Sequence, residues 1–205
     1  MKKIIPGIIA ALIFWFLMFS PLTASKLNFW LTMLIATGFL TAYSIIFGRD
    51  DLKQVLDFKL KWVVLGLVSA VVLYFVFFAG NIISKMLFDF AEHQVNNIYS
   101  TKSQADKIFI GLSLLLWIGP AEEIFWRGYV QNNLAKKYGD MNGFFITTAI
   151  YTLVHIWGFN LMLLVAALFC GLFWGWMFMK YKSLTPGLIS HAVWDLFIFI
   201  IVPLS

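Results

Sequence analysis

The stretch LSLLLWIGPAEEIFWRGY, Leu112 to Tyr129, sets an unbroken apolar run against two adjacent glutamates and an arginine four residues beyond the second. Glu122, Glu123 and Arg127 sit where oily side chains are expected, and the surrounding composition makes that costly. The chain has 205 residues, of which 61% are hydrophobic, 19% aromatic and only 12% charged. A soluble domain carries roughly 25% charged residues. The sequence therefore reads as an integral membrane protein. Its length suits one compact bundle, so a single membrane domain over 1–205 is expected.

A membrane-crossing helix needs about 20 apolar residues. Such segments run approximately over 4–24, 27–47, 62–88, 107–135, 142–158, 160–179 and 184–203. The expected fold is all-α, a polytopic membrane helix bundle of about seven to eight transmembrane helices, with an eighth only if the long third or fourth segment is broken. The start, MKKIIPGIIAALIFWFLMFSPLTAS, imitates a secretory signal. Its apolar run is longer and more aromatic than a signal core, which favours a retained first span.

Basic residues set the orientation. With the N-terminus in the cytoplasm, the inner side collects Lys2, Lys3, Arg49, Lys53, Lys59, Lys61, Lys136, Lys137, Lys180 and Lys182. The outer side keeps Lys26, Lys85, Lys102 and Lys107, and ten against four is a positive-inside bias. These dispersed charges, net +5, make topology signals and no phosphate-binding patch, so nucleic acid is excluded as a partner. Residues 48–61 read as a cytoplasmic loop or short interfacial helix. Residues 89–107 form the longest polar run and are expected outside, with His93 as a solvated loop histidine. Cys170, the lone cysteine, permits no intramolecular disulfide and reads as a small buried residue.

The ionisable residues within the spans are Glu122, Glu123, Arg127, His155, His191 and Asp195. Each costs at least a few kcal/mol in the bilayer, so each is expected in a pair or a site. Glu123 and Arg127 stand four apart on one helical face, acid before base, the favourable order for mutual neutralisation. Glu122 points about 100° away and has no partner on its own helix. His191 and Asp195 are again four apart, facing one neighbour. At about 1.5 Å per residue from the cytoplasmic helix ends, Glu122, His155 and Asp195 each lie roughly 20 Å deep, and His191 about 13 Å. Gly119-Pro120 should loosen or kink the helix just before the glutamates. Gly171 and Gly175, in GLFWG, offer a small-residue face for close packing, a weak signal by itself.

A buried carboxylate can take a proton from water, a histidine can share or relay it, and a second polar pair can hold the oxyanion of a tetrahedral intermediate. The same side chains could ligate zinc and activate a bound water, although no HExxH helix is present. In the zinc version Glu122, His155 and His191 are the ligands and Asp195 orients them. That assignment consumes the only evident general base. The glutamate-water version uses each residue once, so no cofactor is favoured and zinc is the alternative.

Three motifs carry a resemblance. EEIFWRG resembles the EExxxR motif of the CPBP family, which comprises intramembrane CAAX proteases and bacteriocin-processing or immunity proteins. YTLVH, Tyr151 to His155, is similar to its FxxxH motif, and HAVWD, His191 to Asp195, to its final HxxxN/D motif. The likeness covers roughly Lys107 to Phe197, so residues 107–205 are expected to be the catalytic core and 1–106 N-terminal spans. The resemblance implies an intramembrane endopeptidase acting on a membrane-associated peptide or protein within the lipid bilayer. By position, Glu122 would activate water with His155 beside it. His191 and Asp195 would polarise the scissile carbonyl, and Glu123 with Arg127 would brace the helix. Two departures stand out. Tyr151 adds a hydroxyl near the site, and Asp195 replaces an asparagine, a poorer oxyanion donor unless protonated or turned to orient His191. The alternative is a non-proteolytic binding or immunity protein of the same fold. A transporter is disfavoured, because no inverted repeats or paired broken helices are evident. Short loops and small size suggest a bacterial cell membrane.

Overall fold

Three side-chain caps fix where the main rods begin. Asn28 Oδ1 accepts from the Leu31 amide at 3.0 Å, Asp106 Oδ1 from the Ile108 amide at 2.8 Å, and Asn160 Oδ1 from the Leu163 amide at 2.9 Å. Each satisfies an orphan N–H of a first helical turn. The computed structural model describes residues 3–204. Lys2, counted above with the basic side, lies outside the described residues.

Those residues form helices and no strand. In chain order they are α1 (Ile4–Phe19), α2 (Phe29–Val55), α3 (Leu60–Leu87), α4 (Ala91–Tyr99), α5 (Lys107–Tyr138), α6 (Asp140–Leu153, prolonged by a 3-10 turn over Val154–Gly158), α7 (Leu161–Tyr181) and α8 (Thr185–Ile201). Helices α2, α3, α5 and α7 are long and apolar enough to cross a membrane, and α1 and α8 are shorter apolar helices. Apart from α4, every helix coincides with one of the seven apolar segments read from the sequence. Neither α3 nor α5 is interrupted, so no eighth span arises there.

Burial ranks the rods. The most apolar window of α5 is 56% buried and that of α3 only 22%, so α5 is the central rod and α3 a peripheral one. The outward side chains of α3, among them Val68, Val71 and Phe75, are large, apolar and exposed, as lipid contact requires. Around α5 the core is aromatic: Trp15, Trp30, Trp126 and Trp174 are at most 1% exposed. Trp15 and Trp126 meet edge to face at 6.2 Å.

Inside α5 the Gly119-Pro120 pair breaks no helix. Instead, π turns occupy Leu114–Ile118 and Ile124–Gln131, and the Gly119 amide reaches back five residues to the Leu114 carbonyl. Widening by one residue absorbs the proline ring, which would clash with the carbonyl four back. The loosening foreseen from the sequence is thus a change of winding.

The two faces of the bundle differ in chemistry. On one face Tyr43 and Tyr129 donate to the Lys3 carbonyl, Lys136 pairs with Asp51 at 2.7 Å, and the Leu184 amide donates to the Val55 carbonyl. Of the 48–61 stretch, residues up to Val55 continue α2 past a non-helical Gly48, with Leu52 and Val55 buried against Phe178 and Leu184, and residues 56–59 loop into α3. On the opposite face Trp30 donates to the Thr101 carbonyl, the Phe29 amide to Gln104 and Tyr99 to the Ile198 carbonyl.

One expectation is corrected here. Residues 89–107 are no solvated loop: they fold into α4 and a 3-10 turn, Ser100–Gln104, pinned across that opposite face. Ala91, Val95 and Ile98 recur at helical spacing on the packed side, while Glu92, His93, Asn96 and Asn97 stay exposed. Gln94 ties the helix to α7, its carbonyl accepting from Asn160 and its Oε1 from the Met162 amide. High polarity concealed this amphipathic period.

On the basic face Asp57 clamps the α2–α3 loop to the start of α8. It accepts from Ser183 and from Trp62 Nε1, pairs with Lys59 at 2.8 Å, and its carbonyl accepts from Thr185. The Lys59 ammonium, then the Ser183 hydroxyl, bring its carboxyl down from the usual range to about 2. A depressed folded value stabilises above the unfolded value of about 3.9 and loses that effect as pH falls toward the folded one. Asp57→Asn is therefore expected to melt below wild type in detergent at neutral pH, with the gap closing as pH falls to about 2. An unchanged gap at low pH would mean that the clamp is not electrostatic.

Candidate active site

The two glutamates of α5 reach different surroundings because they are adjacent on a helix. Glu123 is fully buried, and its Oε1 accepts from Arg127 Nη1 at 2.9 Å. The same oxygen lies 2.9 Å from Nδ1 of His191 on α8. Arg127, 1% exposed, donates its Nη2 to the Cys170 carbonyl at 3.3 Å and lies over the Tyr151 ring at 4.7 Å. The foreseen Glu123–Arg127 pair is present, and it is one arm of a bridge that also holds His191.

Glu122 turns toward α6, where Tyr151 donates its hydroxyl to Oε2 at 3.2 Å. The hydroxyl that departs from the usual phenylalanine thus supplies the partner Glu122 lacks on its own helix. His155, one turn further along, is held at both ring nitrogens. Nδ1 sits 2.8 Å from the Tyr151 carbonyl, and Trp15 Nε1 donates to Nε2 at 3.0 Å. A carbonyl only accepts and an indole N–H only donates, so the contacts define a neutral ring protonated at Nδ1.

His191 stacks on Trp174, with centroids 3.7 Å apart and planes at 18°. The Trp174 N–H donates to Ser190 at 3.1 Å, which fixes the indole. On its other edge, His191 Nε2 faces Asp195 Oδ2 at 3.5 Å, beyond a well-formed hydrogen bond. His191 is therefore oriented through Nδ1 by Glu123, while Nε2 has Asp195 near it and room for another partner.

Close backbone approach brings these groups together. A Cβ on Gly119 would stand 2.9 Å from the Ala192 amide nitrogen and 3.0 Å from its Cα, so glycine there lets α5 meet α8 beside His191. Gly171 likewise faces Thr148 and Tyr151 of α6, and the small-residue face read in GLFWG is used in packing α7 on α6.

Glu122, Tyr151, His155, Cys170, His191 and Asp195 all line one cavity of about 660 Å³. Of the residues singled out from the sequence, Glu122, His155, His191 and Asp195 meet there, while Glu123 and Arg127 lie behind its wall. Trp15 and Trp174 were not singled out. Nothing local distinguishes them from other membrane tryptophans, and Trp15 meets a histidine 140 positions away. Among the described residues no three His, Cys, Asp or Glu side chains converge closely enough to hold a metal ion. Zinc on Glu122, His155 and His191 would also need His155 Nε2, whose lone pair receives the Trp15 N–H. The ligand set does not fit this arrangement.

Residues 104–197 match the model of a family described as type II CAAX prenyl endopeptidase Rce1-like. This part of the chain is similar to that family, which is consistent with a CPBP-family intramembrane protease, and the match spans every ionisable residue of the cavity wall named above. It bears on the CAAX-protease branch and leaves a bacteriocin-immunity role without support. No curated protein and no solved structure gave a significant match.

Removing one partner of a buried pair strands the other charge, which costs about 3–5 kcal/mol. Arg127→Ala should lower unfolding stability in detergent by that order, and Arg127→Ala on top of Glu123→Gln by clearly less. Additive losses would show that the two side chains do not act as a pair.

Proposed function

We propose that the protein is an intramembrane endopeptidase that cleaves a membrane-associated peptide or protein with a water activated by Glu122. The observation that carries this reading is that one carboxylate and one imidazole–carboxylate pair, from two rods of an apolar bundle, line a single cavity large enough for a short stretch of peptide.

In this reading Glu122 takes a proton from water and the resulting hydroxide adds to the scissile carbonyl carbon. The developing oxyanion accepts from Nε2–H of His191 held as an imidazolium, whose Nδ1–H faces the Glu123 carboxylate. When the C–N bond breaks, the Glu122 carboxylic acid returns the proton to the leaving amine. Tyr151, bonded to one oxygen of Glu122, leaves the other oxygen for the water. Asp195 orients His191 and balances its charge, which suits an aspartate better than direct donation to an oxyanion. His155 is a positioning residue: it ties Trp15 to the turn that carries Tyr151. The reading needs no metal, and the arrangement of donors favours that choice. A membrane location with the N-terminus in the cytoplasm follows from the distribution of lysines.

Glu122→Gln should reduce cleavage about 10²–10⁴-fold, the usual worth of a general base, while the protein stays folded in detergent. Wild-type turnover in this variant would remove Glu122 from the chemistry. Trp15→Phe separates two roles for His155. A positioning role predicts slower cleavage, whereas a proton relay through a freed Nε2 predicts faster cleavage. Stoichiometric zinc in purified active protein, lost with activity on chelation and restored with it, would overturn the metal-free mechanism.

A further inference from the structure

The cavity that holds Glu122 has a direction. Its lining runs from Glu122, His155, His191 and Asp195 through aromatic walls such as Phe29, Phe77 and Phe199 to Gln94, Asn97 and Thr101. The last three belong to α4 and the following 3-10 turn, the cover of the face opposite the basic one. No lining residue comes from 48–61, 123–150 or 175–190, the segments that build the basic face. Beneath Glu122 the way is blocked by Glu123, Trp126, Arg127, Gln131 and Leu184, none more than 2% exposed.

The faces are also unequal in charge. Lys3, Arg49, Lys53, Lys59, Lys61, Lys136, Lys137, Lys180 and Lys182 lie at the closed end, nine among the described residues, with Asp50, Asp51, Asp57 and Asp140 beside them, a net of +5. Lys26, Lys85, Lys102 and Lys107 lie at the open end, where Asp89, Glu92 and Asp106 nearly cancel them. Short loops rich in lysine and arginine stay in the cytoplasm.

We propose that the site opens to the extracytoplasmic side, and that its substrate is an apolar peptide stretch presented from that side rather than the tail of a cytoplasmic protein. The substrate class rests on the endopeptidase reading; the direction of opening does not. The walls fit such a peptide: the aromatic side chains take apolar residues, and polar amides at the mouth can meet a peptide backbone. Asn81 donates to the Leu204 carbonyl while its buried Oδ1 has no partner, leaving an acceptor for a peptide N–H. Apart from the Glu122, His191 and Asp195 group itself, the wall and mouth are lined by apolar and neutral polar side chains, with His93 at the rim.

The direction can be tested without activity. In a Cys170→Ser background, with Cys170→Ala as a second version, single cysteines are placed at Ser100 on the cover, Ala166 in the cavity wall and Met141 on the basic face. A cationic methanethiosulfonate is applied to spheroplasts and to inverted vesicles. S100C and A166C should react about tenfold or more faster than M141C in spheroplasts, with the order reversed in inverted vesicles, because a fixed charge is excluded from the bilayer core. Reaction of A166C from the M141C side would overturn the proposal, as would an exposed M141C in spheroplasts. A second arm compares new protein termini in membranes of cells carrying wild type or Glu122→Gln. Wild-type-specific termini at extracytoplasmic ends of spans support the substrate class, and termini in cytoplasmic tails overturn it. No difference between the strains, with the labelling pattern intact, would sink the endopeptidase reading and the substrate class with it, while the direction of opening stands.

Discussion

A single buried oxygen, Oε1 of Glu123, joins the central helix α5 to α8 and faces both Arg127 and His191. The arginine neutralises a carboxylate that burial would otherwise make prohibitive, and its own charge is spread over the Cys170 carbonyl and the Tyr151 ring. With that charge settled, the imidazole of His191 has one fixed edge. The bridge therefore does two things at once: it holds three rods in register and sets which nitrogen of His191 faces the cavity. In an apolar bundle, where helices gain little from excluding water, such polar ties carry much of the specificity of packing.

The ties work only because the backbones approach closely. Gly119 lets α5 meet α8 at the level of His191, and Gly171 lets α7 meet α6 beside Tyr151. The π turns around Gly119-Pro120 rotate the glutamates relative to a regular helix, and such widened turns are frequent at functional sites. Glu122 is then aimed at the Tyr151 hydroxyl and Glu123 at Arg127 and His191, which gives two neighbouring acids unlike partners. A division of labour between them follows from environment, since their chemistry is the same.

Access to the cavity belongs to another layer of the structure. Helix α4 and its 3-10 turn are anchored to α2, α7 and α8 by side-chain and main-chain bonds, including those of Gln94, Tyr99 and Gln104. The basic face is instead sealed by packed Trp126, Leu184 and the buried ion pair. A bundle packed at one end and covered by a short amphipathic helix at the other gives its cavity a polar rim at the α4 end.

The sequence by itself determined the class of fold and picked out the ionisable residues that meet at the cavity. Composition and run length give the membrane spans, since each must be apolar over the bilayer thickness, and the buried charges stand out against that background. Spacing of four gave the Glu123–Arg127 pair, because helix geometry places such residues on one face. Tertiary structure alone decided the rest. That Glu123 also holds His191, that Trp15 engages His155, and that Tyr151 answers Glu122 are contacts between residues 29 to 140 positions apart. No local period reports them. The helix within 89–107 escaped for a related reason: its packed side is defined by the bundle it covers, and its polar composition reads locally as a loop. Orientation of the cavity required both levels, charge from the sequence and the open end from the fold.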